Sequence, residues 1–532
     1  MMKSAYDVVI VGGAVAGAAT AMLLLREDPT LRVLIVERST TFGRRVGEAT
    51  VEVSTYFLTR VLGLTQHLNE SHLVKNGMRF WFANAAAQTL ADSSEIGGKY
   101  QVRIIAFQVD RATLDEEVLR RAVAAGAELW RPAAVQQIEL HAGGEQQITV
   151  RRGEQSDTVT ARWVVDASGV ATVLARQEGW RRTNTAHPTT AVWARGQGVK
   201  DWDGQELARK FPAWAAAPFG TRHTATNHLT GDGWWAWFIP LKGGDMSVGV
   251  VFDQRLCPFP QAGALGDRLK NFLMEHPVGR ELLADARWNE GDVHWRKNLA
   301  YDSTTYSGDG FVLVGDAAAF LDPLYSPGLD WVSYTTVAAT DLILAQRRGE
   351  TLAPLVVAHN ARFTRSYQRW FAALYQDKYE YLGEFDLMRR AFLLDLGLYY
   401  LGVASQPFKR GLPAFREPIF STPPSVPFYH LIRTYNRRFA AIARSRRRRG
   451  VWGRHNAGQR LLIKGFSFAL ASAGPIVRTL GSWLWLELTE GWRSWFEPRP
   501  QPAGVQLATA GAGQLGGEEQ PLGKLPEREP TR

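Results

Sequence analysis

Val8-Val-Ile-Val-Gly12-Gly13-Ala14-Val15-Ala16-Gly17, running on through Ala18 to Leu25, is the stretch whose reading decides the fold. It carries no charge over 18 residues, which is close to the length that spans a bilayer. Its glycines point elsewhere. The β-branched run Val8 to Val11 reads as a strand, Gly12-Gly13 as a turn, and Ala16 to Leu25 as a helix. Val33-Leu-Ile-Val36 then supplies a second apolar strand, completing a βαβ unit. The turn is the dinucleotide fingerprint with Ala14 at its second glycine position. Gly12 permits the tight turn, Gly17 lets helix and strand approach, and the helix N-terminus offers amides and partial positive charge to a pyrophosphate. An ordinary parallel crossover would share much of this pattern. Glu37, closing the second strand where a carboxylate meets ribose hydroxyls, favours the nucleotide reading.

The bulk composition frames that unit. A chain of 532 residues exceeds what one core usually organises, and 45% hydrophobic with 21% charged residues is ordinary for a folded protein. The single cysteine, Cys257, excludes an intramolecular disulfide framework, and no charged leader precedes the first strand, so a reducing cytoplasm is expected. Residues from about Pro498 to Arg532 are rich in proline, glycine and polar side chains and read as a disordered tail over 499–532.

Further segments follow in a suggestive order. Asp110-Arg111-Ala-Thr-Leu-Asp115 opens a helix, Val164-Val165-Asp166-Ala167-Ser168-Gly169 ends a strand, and Val312-Leu-Val-Gly315-Asp316 ends another before an alanine-rich run. Taken singly, Asp110 and Asp115 read as helix-start charges and Asp166 as a turn cap. Asp316, between an apolar strand and an apolar helix, has no obvious solvated face. Together the segments resemble the FAD-dependent aromatic monooxygenase superfamily, and within it the flavin-dependent halogenases, over about the first 340 residues. The resemblance implies FAD held by Gly12, Gly13, Ala14, Ala16, Gly17, Glu37 and Arg38. It adds the loop Gly47-Glu48-Ala49-Thr50, Arg111, Asp166 and Gly169, Asp316 on the ribityl chain, and Pro323 and Gly328 beside the flavin ring. The fold it implies is α/β, a Rossmann-type FAD-binding domain with an inserted antiparallel sheet for substrate and a helical C-terminal region. The expected divisions are 1–344, with the insert at about 186–256, then 345–498 and the tail.

Within the insert, Ala236-Trp-Phe-Ile-Pro-Leu241 turns through Gly243-Gly244-Asp245 into Met246-Ser-Val-Gly-Val-Val-Phe252, a hairpin signature. Period two puts Trp235, Trp237 and Ile239 on one face. That face is at least partly an aromatic core, and the resemblance implies that Trp235 and Trp237 line the space between flavin and substrate. Lys75 stands where the halogenase lysine meets hypohalous acid. An unperturbed lysine would be neutral in only about 1 in 2500 molecules at pH 7, so attack as a free amine requires desolvation, whereas the charged form can donate a hydrogen bond without losing its proton. The loop Phe320-Leu-Asp322-Pro323-Leu-Tyr325-Ser326-Pro327-Gly328 leads into an apolar helix and places Tyr325 and Ser326 beside the chemistry. Here the chain departs from the family pattern. Tyr325 replaces the glutamate of tryptophan-specific members, and Pro327, which lacks an N–H, stands where an amide meets halide.

Beyond residue 345 apolar residues recur at helical spacing, as in Tyr367 to Tyr375 and Leu387 to Leu394. Nine arginines fall between Arg433 and Arg454, followed by the uncharged stretch Gly465 to Val477 and by Trp483, Trp485, Trp492 and Trp495. The segment is too short to cross a bilayer, and it suits a membrane surface or an acidic carrier protein, as does the net charge of +10. No nucleic-acid module is recognised, and no metal is expected. The expected activity is halogenation or oxygenation by reduced FAD and O2 of an aromatic or polyene substrate, free or carrier-tethered. Halide and a separate flavin reductase are the expected partners. A hydroxylase or dehydrogenase on the same scaffold, and a noncatalytic FAD-binding membrane-associated protein, are the alternatives.

Overall fold

Uncharged β-branched runs form the centre of the first sheet. In the computed structural model, which describes residues 5–468 and 473–496, β1 (Ala5–Val11) pairs in parallel with β2 (Val33–Val36), Val8 opposite Val33 and Val11 opposite Val36. On its other side β1 pairs in parallel with β3 (Gln155–Asp166), which pairs in turn with β4 (Phe311–Leu313). Such strands are covered on both faces, and Val8, Val9, Ile10 and Leu34 are fully buried. Helix α1 (Val15–Glu27) packs against α2 (Arg111–Ala124) and α3 (Gly328–Arg347). Its alanines at 18, 19 and 21, all buried, keep that three-way approach close.

The second sheet has eight strands and is wider than the stretch 186–256. Thr189–Gln197, Thr226–Gly231, Trp234–Pro240 and Met246–Asp253 form its centre. Its outer strands come from Met78–Phe82, Ser94–Gly98, Arg287–Lys297 and Arg460–Ile463, far away in sequence. The central hairpin closes through Gly243 and Gly244, both at positive φ, with Pro240 opposite Met246. Alternation sends the side chains of Trp234–Pro240 into two cores. Trp235, Trp237 and Ile239 enter the large core shared with the nucleotide sheet, and Ala236 and Phe238 enter a smaller one on the far face.

Four long helices follow α3: Leu352–Leu374, Phe385–Tyr399, α4 (Val426–Arg448) and α5 (Ala473–Thr489). Phe363, Met388, Phe439 and Leu486 join the large core, so this region packs on the core of the first half. Among the described residues no helix is long and apolar enough to cross a membrane. The tail 499–532 lies outside the described residues.

The arginine run is corrected by the structure. Read as a cationic surface, Arg446 to Arg449 is instead largely neutralised within the fold. Arg446, only 1% exposed, donates to Glu384, to Asp386 at 3.0 Å and to Glu490 at 2.7 Å. Arg447 pairs with Asp232 and Glu380, and Arg449 with Glu490. Those acids are distant in sequence, which is why the run looked unpaired. Arg446→Gln leaves Glu384 buried without its cation and takes one partner from Asp386 and Glu490, which keep Arg390 and Arg449, a loss expected to cost about 3–5 kcal/mol. A fall in the urea midpoint checks this, and an unchanged midpoint refutes it.

Candidate active site

The turn after β1 is built for close backbone contact. Gly12 sits at φ +102°, and a Cβ there would lie 2.6 Å from the carbonyl oxygen of Ala167. At Gly17 a Cβ would lie 1.9 Å from the Gly12 oxygen. Glu37 is buried and accepts hydrogen bonds from the Gly13 amide at 2.8 Å and the Ser39 amide at 2.9 Å, which fixes its carboxylate at the end of β2. Arg38 is exposed beside it. The Val15 amide reaches Asp115 at 3.3 Å, whereas the amides of Ala16 and Gly17 have no hydrogen-bond partner among the described residues. Orphan amides at a helix start, with Ala14 as the residue before it, suit a pyrophosphate.

Two other loops meet this turn. Gly315, at φ +58°, is wedged between Val332 and Ala16, with its N–H bonded to Thr335 and its carbonyl to the Trp331 indole. The following Asp316 carboxylate accepts no hydrogen bond among the described residues. Burial raises its pKa, with Arg111 and Arg296 opposing. A carboxylate left unbonded at this place fits a polyol chain and a buried ribose far better than it fits the protein alone. Arg111, at the start of α2, bonds Asp115 at 3.1 Å and the Val46 carbonyl at 3.4 Å, beside Gly47. Asp110 caps α2 through the amides of Ala112 and Thr113, and both Asp166 oxygens are spent on the amides of Ser168 and Leu174. Capping therefore accounts for Asp166 and for one oxygen of Asp110, whose other oxygen pairs with Arg44 at 3.0 Å, and Asp166 shapes the Gly169 loop instead of offering its carboxylate outward. Glu48 likewise turns inward. Its carboxylate, raised in pKa by burial, takes the Arg195 guanidinium at 2.6 Å and ties the Gly47–Thr50 loop to the second sheet. Ala49, next to it, bridges to Gln108.

Lys75 is the hinge between this cradle and a cavity of about 860 Å³, towards the upper end for small-molecule sites. The strand Leu73–Lys75 pairs with Ala106–Gln108, placing Lys75 opposite Ala106. Its Nζ donates to the Thr50 carbonyl at 2.9 Å, and the residue is 2% exposed. Burial brings its pKa down to about 8, with Glu52 and Asp330 opposing. At pH 7 about one such lysine in ten is neutral, against 1 in 2500 unperturbed. Asp330, in the first turn of α3, accepts from the Ser54 amide at 2.9 Å, and burial pushes its pKa up to about 7. Glu52, Lys75, Asp330, Tyr325 and Pro327 all line the cavity, whose walls otherwise include Met78, Ile104, Phe392, Leu396, Phe428 and Ile432.

The loop before α3 is strained and braced. Tyr325 and Ser326 are both left-handed, at φ +68° and +57°, which costs of order 1–3 kcal/mol each. The Tyr325 hydroxyl donates to Asp395 at 3.0 Å, a carboxylate also held by Lys378 at 2.7 Å and by the Tyr435 hydroxyl. Asp322, next to Pro323, takes the Leu324 amide, the Tyr379 hydroxyl at 2.9 Å and His187 at 3.0 Å, and Tyr379 in turn receives the Trp235 indole. Trp235 thus braces the loop from the core, and Trp237 bonds Ser247. Neither tryptophan lines the cavity, and neither does Ser326. The Ser326 amide is spent on Pro323 and Pro327 supplies none, so the next amide without a partner among the described residues is that of Gly328, in the first turn of α3 with those of Leu329 and Asp330. Asp330 and Asp395 escaped the sequence reading. Asp330 left a faint mark as an acid at the start of an otherwise apolar helix, whereas nothing local announces the pairing of Asp395 with Lys378.

A dinucleotide cradle joined through one buried lysine to a large, mostly apolar cavity defines a cofactor-dependent site for an organic substrate. The tryptophan halogenase family model matches residues 7–101 and 83–378, and the chain belongs to that family. A flavin-dependent halogenase of Dictyostelium discoideum is 26% identical over 378 residues, 64% of this chain and 60% of that protein. The chain thus spans less than two thirds of that relative's length. A pyrrole-2-carbonyl carrier-protein chlorinase of Pseudomonas fluorescens is 24% identical over 387 residues, 69% of this chain and 82% of that protein. The crystal structure of halogenase PltM with phloroglucinol and FAD superposes with a TM-score of 0.70 at 20% identity, covering 90% of this chain and 96% of that one, which shows a shared fold.

Proposed function

We propose that the chain is an FAD-dependent halogenase acting on an electron-rich aromatic or polyene substrate. The observation that carries this reading is Lys75, buried with its ammonium between the Gly47–Thr50 loop and the cavity. FAD would lie across Gly12, Gly17, Glu37, Arg111 and Asp316. When bound and reduced by a separate reductase, FAD supplies O2 with the two electrons that make one oxygen electrophilic enough for halide to form hypohalous acid. Lys75 Nζ, protonated, donates to the hypohalous oxygen and polarises its bond to halogen. Halogen passes to the substrate carbon, the departing hydroxide takes the Lys75 proton to leave as water, and the proton released from that carbon goes to Asp330, from which it returns to Lys75. Lys75 and Asp330 therefore share the proton traffic, and the apolar walls keep bulk water from the oxidant. Incubation with FAD, a flavin reductase, NADH, O2 and bromide, using phloroglucinol and a pyrrolyl carrier thioester as probes, tests the reading by product mass. Oxygen insertion without any halide dependence would overturn it.

The halide end of the loop supports a second reading, a hydroxylase on the same scaffold. With the Ser326 amide spent and Pro327 lacking one, an anion at this turn loses two consecutive donors and is left with the Gly328 amide and those that follow it. A missing charge-assisted donor is worth about 1.5–3 kcal/mol, roughly a tenfold to hundredfold weakening. The halide concentration for half-maximal rate is therefore expected to be high, and Pro327→Ala, which restores an N–H, is expected to lower it at least about tenfold. A half-saturation unchanged by that substitution would remove the anion site from this loop.

A further inference from the structure

Helix α5 packs through one face and leaves the other bare. Ile476, Thr479, Leu486 and Glu487 are buried, and Leu480 and Trp483 pack against the large core, Trp483 on Tyr435 and Phe439. Val477, Leu484, Trp485 and Leu488 recur at helical spacing on the opposite side and are 64%, 59%, 67% and 67% exposed. The short turn after the helix adds Trp492 and Phe496, 50% and 93% exposed, and Trp495, whose indole bonds Glu487. Isolated apolar residues on a surface are ordinary, but so many large ones on one face mark an interaction surface.

Charge selects the occupant. Glu487 and Glu490 both turn inward, Glu487 onto Arg438 and Glu490 onto Arg446. The charges left outward among the described residues of this segment are Arg478 and Arg493, both exposed and neither paired with an acid. An apolar, tryptophan-rich face edged only by cations matches the headgroup boundary of an anionic bilayer, where indoles settle and arginines meet phosphate. We propose that the face formed by Val477, Leu484, Trp485, Leu488, Trp492 and Phe496 docks on an anionic membrane surface. This keeps the aromatic part of the sequence expectation and drops its arginine run, because Arg446 and Arg447 are consumed inside the fold, Trp483 packs into the core, and the bare side of α5 carries the contact.

The buried side of the same helix reaches the cavity wall. Ile476 packs on Gly397 and Phe466, and Phe466 lines the cavity beside Leu396 and Leu398. If the proposed halogenase reading holds, the substrate is a lipophilic compound partitioned into the bilayer. The docking itself does not depend on that reading, and its test uses no turnover.

The experiment is flotation of the full chain with vesicles of phosphatidylcholine alone and with about one third phosphatidylglycerol, at low and high salt. The chain is expected to float with the anionic vesicles, less so at high salt. The double substitution Trp485→Glu and Leu488→Glu is expected to reduce flotation at least about tenfold with an unchanged melting temperature, since both side chains are exposed. Arg478→Gln with Arg493→Gln is expected to reduce binding to the anionic vesicles only. Wild-type protein that stays at the bottom of the gradient overturns the proposal, as does a Trp485→Glu, Leu488→Glu variant that floats as well as wild type. A wild-type dimer that this variant converts to monomer in light scattering reassigns the face to a second copy of the chain.

Discussion

Lys75→Ala is expected to lower halogenated product by about 10²–10⁴-fold while FAD still binds and reduced flavin is still reoxidised by O2. The substitution removes the donor proposed to polarise hypohalous acid and leaves the Gly12–Gly17 turn untouched. Stopped-flow absorbance of reduced FAD with O2, run beside a product assay, separates the two effects. Loss of both together would assign Lys75 to the cradle and not to the chemistry. The wild-type pH profile carries a matching signature. Asp330 accepts a proton only when ionised, so the rate should rise as pH passes about 7. Lys75 donates only when protonated, so the rate should fall as pH passes about 8. A narrow bell with those two limbs, read as macroscopic values of an interacting pair, is the expected result.

The second large effect is at Gly17. A Cβ there would overlap the Gly12 carbonyl oxygen at 1.9 Å, a backbone atom that cannot swing aside. Gly17→Val is expected to abolish the flavin absorbance of the purified protein. Retention of a full flavin spectrum would mean that the nucleotide lies elsewhere.

How much was legible in the sequence follows from how far apart the interacting residues are. The βαβ unit is local: Val8 to Val11, Gly12, Gly17 and Glu37 fall within 30 consecutive residues, and strand, turn and helix each leave their own pattern there. The hairpin at Trp234 to Asp253 is equally local, and its period of two correctly separated Trp235 from Ala236. Lys75 was legible only as a position match, because its burial depends on Thr50, Asp330 and Ala106, none of which is its neighbour. The arginine run failed for the same reason. Its counter-charges Asp232, Glu384, Asp386 and Glu490 are scattered over more than 250 residues, so a stretch that looks wholly cationic in one dimension is largely paired in three. The capping roles of Asp110 and Asp166 were weighed from local spacing and are what the structure shows.

The cavity has two authors. Lys75, Tyr325, Pro327 and Asp330 fall inside the span shared with the halogenase family, which ends at residue 378. Phe392, Asp395, Tyr399, Phe428, Ile432 and Phe466 come from helices and loops beyond it. Substitutions on the wall beyond residue 378 can therefore change the shape of the cavity without touching Lys75 or Asp330. Asp395, gripping the Tyr325 hydroxyl, is the seam along which any such renovation must still fit.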